Sequence, residues 1–209
     1  MTFNKTITLA LTGASGSQYA LRLLQCLVAA NCRVYLLVSR AAAVVMNTET
    51  SHVMPLSTAD QQQFFESYAN AAPGQVLMFD KEDWFSPVAS GSNAPDAMVI
   101  CPASGGTIAS VAMGASNNLI ERAADVMIKE RRPLIVVPRE TPLSTIHLQN
   151  MLTLSQNGCI VLPASPGFYH NPEKIDDLVD FVVARILDQL HVGQNLIPRW
   201  GDVDADQGN

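Results

Sequence analysis

The chain has 209 residues, a formal net charge of -6 and a sequence pI near 5.1. That balance excludes a nucleic-acid-binding module, which needs a broad basic face. With 48% hydrophobic and 15% charged residues, the chain is globular, fits one domain with a sizeable core, and is apolar enough to leave surface for subunit contacts.

The first apolar run, Thr6–Thr12, predicts a buried strand. Lys5 ahead of Ile7 to Leu11 faintly resembles a leader peptide, but the run is short and breaks at Thr12-Gly13, so a strand is the better reading. No run approaches the roughly 18 apolar residues of a membrane span. Gly13-Ala14-Ser15-Gly16-Ser17 follows and opens a helix over Gly16–Ala30. Small residues let the backbone approach a phosphate, and a helix N-terminus offers free N–H groups and a positive dipole end. The loop is not the GxGxxG dinucleotide fingerprint, and the second strand, Val34–Ser39, ends in Ser39-Arg40 with no acidic ribose partner. Taken alone, a plain strand-to-helix turn explains the loop equally well.

Helices over Ala41–Thr48 and Thr58–Ala71 come next, then a loop-rich stretch at residues 72–96 that carries Trp84. The strand Ala97–Cys101 runs through Pro102-Ala103-Ser104-Gly105-Gly106-Thr107 into a helix over Gly106–Met113, a second small-residue loop at a helix start. Two such loops on different strands can flank one crevice at a sheet's switch point, and together they favour a phosphate-bearing cofactor. The helix Asn118–Glu130 places Ile120, Ala123, Ala124, Met127 and Ile128 on one face and Asn118, Arg122, Asp125 and Lys129 on the other. Arg122 and Lys129 are two turns apart, roughly 10 Å, and composition alone reads them as a solvated face paired by Asp125. The strand Leu134–Pro138 delivers Arg139 and Glu140 at its end. Five of the 13 Lys and Arg residues (Arg122, Lys129, Arg131, Arg132, Arg139) fall between Glu121 and Pro142. On an acidic protein, cations gathered near a strand's carboxyl end point to a small anionic ligand.

The chain closes with a helix over Ser144–Asn157, a strand over Cys159–Pro163 and a helix over Ile175–Leu190. Asp176-Asp177-Leu-Val-Asp180 spells the DDxxD of metal-dependent prenyl synthases, but acids suit the first turns of an amphipathic helix, and those synthases are all-helical. Strands alternating with helices predict one doubly wound, Rossmann-like α/β domain with a mainly parallel sheet and helices on both faces, over residues 1–191. Residues 192–209 read as a C-terminal tail that carries Trp200 and ends in an acidic, disordered stub. Cys26, Cys32, Cys101 and Cys159 show no CxxC spacing and sit on apolar segments, which suits a reduced cytoplasmic protein. The histidines show no metal-ligand spacing and there is no GxSxG elbow, so neither a metal site nor a hydrolase triad is expected.

The segments Asn117-Asn-Leu-Ile-Glu-Arg-Ala-Ala-Asp125, Lys129-Glu-Arg-Arg-Pro-Leu134, Pro138-Arg-Glu-Thr-Pro142 and Pro166-Gly-Phe-Tyr-His170 are highly specific together. With Thr-Gly-Ala-Ser-Gly at 12–16 and Arg-Trp-Gly at 199–201, the chain resembles the flavin prenyltransferases of the UbiX type over nearly its whole length. The resemblance implies a cytoplasmic homo-oligomer, a dodecamer with shared active sites. It would join the dimethylallyl group of dimethylallyl monophosphate to N5 and C6 of reduced FMN, without a metal and without a membrane or nucleic acid. The prenylated FMN would be handed to a separate UbiD-type decarboxylase.

Carried over by position, Gly13, Ala14, Ser15, Ser39, Ser104, Gly105, Gly106, Thr107 and Arg139 would hold FMN. Arg122, Lys129, Arg139, Glu140, Tyr169 and Arg185 would surround the prenyl phosphate. Trp84 and Trp200 would offer π faces to a developing allylic cation, and Ser15, Glu49 and Glu140 would complete the catalytic set, with Ser15 and Glu49 handling protons near flavin N5. Ala103 departs from the Cys that several members carry there. The alternatives are a flavin-dependent cysteine decarboxylase, whose PASANT loop and Met-Asn segment are replaced here by residues 102–107 and 138–142, and a non-catalytic FMN carrier.

Overall fold

The computed structural model describes residues 2–198. Six strands form one sheet: β1 (Thr6–Leu11), β2 (Arg33–Val38), β3 (Val76–Met78), β4 (Ala97–Ala103), β5 (Leu134–Pro138) and β6 (Ile160–Val161). Their order is β3-β2-β1-β4-β5-β6 and every pairing is parallel. Seven helices connect them: α1 (Ser17–Ala29), α2 (Arg40–Glu49), α3 (Thr58–Ala69), α4 (Gly105–Ala112), α5 (Leu119–Lys129), α6 (Thr145–Gln156) and α7 (Ile175–Gln189).

The central strands are apolar on both faces because both faces are covered, as parallel sheets require. One face buries Ile7, Leu9, Val34, Leu36, Val99 and Ile135 against Leu23, Leu24 and Leu27 of α1, Phe65 of α3 and Val183 and Ile186 of α7. The other buries Ala10, Leu37, Met98, Ile100, Leu134 and Val136 against Ile108 of α4, Leu119, Ala123 and Met127 of α5 and Leu154 of α6. Arg22 of α1 grips Asp180 of α7 with Nε 2.6 Å from Oδ1 and Nη2 3.1 Å from Oδ2, tying the two helices of the first face together.

The strand order reverses between β1 and β4, which puts the switch point between the two glycine loops. The predicted elements recur with ends moved by one or two residues, and two expectations are corrected. The stretch 72–96 contains the edge strand β3, a run of only Val76-Leu77-Met78 that is too short to show a period. The last strand is only Ile160–Val161, although Leu162 N and Ala164 N still donate to Val136 O and Pro138 O of β5 at 2.9 and 3.0 Å. Val192 is buried and Leu196 packs on the first core. All four cysteines are free, and no helix among the described residues is long and apolar enough to cross a membrane.

Candidate active site

Four strand-end loops stand side by side at the carboxyl edge of the sheet. Ser39 closes β2, with its N–H on Leu11 O at 3.0 Å and its hydroxyl capping α2 through Ala42 N at 3.0 Å. Gly13 to Gly16 follow β1. Ser104 to Thr107 follow β4, where Ser104 caps α4 by accepting from Thr107 N. Arg139 follows β5 directly after Pro138, the partner of Ala103 across the ladder.

Thr12 latches the two central loops together. Its hydroxyl donates to Pro102 O at 2.7 Å, buried, and accepts from Ser104 N at 2.8 Å, partly buried. Thr12 is not among the predicted site residues, although it stands between an apolar strand and a glycine loop and heads the Thr-Gly-Ala-Ser-Gly motif. Arg139 adds a second latch, with Nε 3.2 Å from Ser15 O. Sequence-predicted Gly13, Ala14, Ser15, Ser39, Ser104, Gly105, Gly106, Thr107 and Arg139 therefore form one row on four neighbouring strands.

The glycines differ in function. A Cβ on Gly13 would lie 2.6 Å from Ala41 Cβ, so α2 itself requires the glycine. A Cβ on Gly105 would meet His147 Nε2 at 3.1 Å, whereas around Gly106 there is nothing within 4 Å. Gly106 is the open side of the cradle. No described residue accepts from the N–H groups of Gly13, Ala14, Ser15, Gly105 or Gly106, which leaves donors on both lips of the crevice.

The helix-start donors of the first loop are not open to a phosphate, contrary to expectation. Gly16 N and Ser17 N, the groups that open α1, donate to Glu49 Oε2 at 2.9 and 3.0 Å. The anion at this helix start is the protein's own carboxylate, delivered from the last turn of α2. Burial pushes the Glu49 carboxyl up, but hydrogen bonds from the Ser15 hydroxyl and from the Ser17 and Gly16 backbone outweigh it and hold the group below its ordinary value. Glu49 is thus ionised at neutral pH and can accept a proton rather than give one.

Arg122 and Lys129 do not join this row within one protomer. Arg122 on α5 donates from Nε to Ala89 O at 3.0 Å and pairs Asp125 at 3.0 Å. Lys129 ends α5 and pairs Glu130, not Asp125 as the sequence suggested. Just beyond it Arg132 reaches Asp96, which accepts from Thr6 N, so Lys129 sits at the amino ends of the strands. Arg139 is a full strand away, about 15 Å for five residues.

Tyr169 and Arg185 line a groove of about 840 Å³ with Phe181 and Asp188 of α7 and the segment that follows that helix. Glu140 is exposed in the turn after Arg139. Trp84 is exposed on the loop leaving β3, and Trp200 lies outside the described residues. Asp176, Asp177 and Asp180 do not act together: Asp180 holds Arg22, and Asp177 accepts from Glu173 N and Lys174 N at the start of α7. Among the described residues, no three His, Cys, Asp or Glu side chains are grouped to hold a metal ion.

Comparison with known proteins adds chemistry to this geometry. The profile of the Flavoprotein family matches residues 1–187. A flavin prenyltransferase UbiX of Pseudomonas aeruginosa is 59% identical over 196 residues, covering 94% of each chain. A crystal structure of AnUbiX in complex with FMN and dimethylallyl pyrophosphate superposes with a TM-score of 0.84 at 34% identity, covering 96% of this chain and 99% of that one. A dodecameric FMN-dependent UbiX-like decarboxylase of Escherichia coli superposes with a TM-score of 0.81 at 38% identity, covering 93% of this chain and 98% of that one.

Proposed function

Because the chain belongs to the Flavoprotein family and, within it, to the flavin prenyltransferases of the UbiX type, we infer that it joins a dimethylallyl group to reduced FMN. The observation that carries the reading is the row of strand-end loops at the switch point, with open backbone donors on both lips and Arg139 beside them. These residues fit a flavin mononucleotide: donors for phosphate and ribityl oxygens, an open face at Gly106, and one fixed cation. Bound there, reduced flavin supplies the electron-rich ring whose N5 and C6 receive the prenyl carbons.

In this reading Gly13, Ala14, Ser15, Ser39, Ser104, Gly105, Gly106, Thr107 and Arg139 orient the flavin. Arg122, Lys129, Arg139, Glu140, Tyr169 and Arg185 surround dimethylallyl monophosphate, and the cations among them neutralise the departing phosphate without a metal. Trp84 and Trp200 face the allylic charge, Ser15 and Glu49 handle the proton at N5, and Glu140 completes the catalytic set. Since the Lys129 end of α5 and the flavin row lie at opposite edges of the sheet in one protomer, a complete site draws on neighbouring copies, which the dodecameric relative supports. We place the enzyme in the cytoplasm, with its prenylated flavin passing to a UbiD-type decarboxylase.

The test is anaerobic incubation with reduced FMN, EDTA and dimethylallyl monophosphate, followed by mass spectrometry of the flavin. A gain of one C5H8 unit is expected. Unmodified flavin with and without added Mg²⁺ would refute the activity, and product only with Mg²⁺ would refute metal independence.

A further inference from the structure

The groove along α7 is lined by Tyr169, Phe181, Arg185, Asp188, His191 and Gln194, among others. Arg185 and Asp188 are one turn apart on α7, and Arg185 Nη1 donates to Asp188 Oδ2 at 2.8 Å. The arginine side chain is 50% exposed and the aspartate 21%, so the carboxylate is the more buried of the pair. Among the described residues that line the groove, Arg185 is the one Lys or Arg and Asp188 the one carboxylate. A surface read as an anion site therefore carries no net formal charge of its own with His191 neutral.

A guanidinium has five N–H donors, so Arg185 can keep Asp188 on Nη1 and still present Nη2 and Nε to a phosphate. The carboxylate then stays close to whatever anion Arg185 holds. Its repulsion grows with each further negative charge on the head group, moderated by water in an open groove.

We propose that Asp188 is a specificity-determining residue that acts through Arg185, favouring a prenyl monophosphate over the more highly charged diphosphate. This rests on the reading of Arg185 as a phosphate ligand. The experiment compares dimethylallyl monophosphate and diphosphate, as KM where turned over and as competitive Ki otherwise, on the FMN-loaded enzyme. The variants are Asp188→Asn, Asp188→Glu, Arg185→Ala and the Asp188→Asn/Arg185→Ala pair.

Asp188→Asn keeps the shape and deletes the charge, so the affinity ratio should move towards the diphosphate by about three- to tenfold. Asp188→Glu should keep the wild-type ratio, and Asp188→Asn should have no effect on it in the Arg185→Ala background. An unchanged ratio in Asp188→Asn, or an equal loss for both head groups, overturns the proposal. If Arg185→Ala weakens monophosphate use in that case, the phosphate reading still stands. If Arg185→Ala leaves monophosphate affinity untouched, the phosphate reading fails and this inference falls with it.

Discussion

Glu49→Gln separates structural from chemical duty at the start of α1. The carboxylate takes two backbone N–H groups, from Gly16 at 2.9 Å and Ser17 at 3.0 Å, at the positive end of a helix. Hydrogen bonds to a charged acceptor contribute about 1.5–3 kcal/mol each, but glutamine keeps one acceptor oxygen and the site is half open to water, so the expected loss is about 1–2 kcal/mol. For a chain of this size that is a fall in Tm of roughly 2–8 °C, measured at fixed protomer concentration because assembly also sets Tm.

The pH dependence has a definite sign. The folded carboxyl titrates below the ordinary 4.5, so its stabilisation is fully present above that value and is lost as pH falls through the folded pKa. The gap between wild type and Glu49→Gln should be full at neutral pH and close in acid. Equal stability at neutral pH, or a gap that widens in acid, would refute the reasoning. Because the group is ionised at neutral pH, the same variant should also lose turnover at temperatures where it remains folded.

Arg139→Ala removes the latch to Ser15 O and the cation of the flavin row; FMN affinity, read by flavin fluorescence, should fall by at least about tenfold, and unchanged affinity would exclude it from the flavin site. Asp180→Asn breaks the grip on Arg22, a pair partly open to solvent, and chemical denaturation should show a loss of no more than about 1 kcal/mol. Lys129→Ala and Glu140→Ala subunits, each inactive alone, should regain partial activity when mixed and reassembled. Verified hybrid assemblies that stay inactive would show that no site draws these residues from different chains.

The α/β architecture was legible because both its signals are local. Continuous apolar runs such as Leu134–Pro138 mark strands buried on both faces, and small-residue loops at two of their ends mark the switch point. β3 escaped because a three-residue edge strand is too short for any period to register, and it is held by Leu77 and Met78 pairing with β2 rather than by its own pattern. The fate of the Gly16 and Ser17 N–H groups escaped for the opposite reason. An anion site at a helix start is readable from sequence, but which anion fills it depends on a side chain some 33 residues away.

The charged face of α5 shows where local reading stops. Its amphipathic period placed Arg122, Asp125 and Lys129 away from the core correctly, and composition alone foresaw the Arg122–Asp125 pair but not Lys129 on Glu130. Neither could say that Lys129 would end at the amino edge of the sheet, since that follows from α5 running antiparallel to β4 and β5. A cation there can serve a crevice at the carboxyl edge only if the crevice belongs to another copy. A role for Lys129 at the flavin crevice would therefore be a property of the assembly, of which a single chain's periodicity and turn chemistry carry no trace.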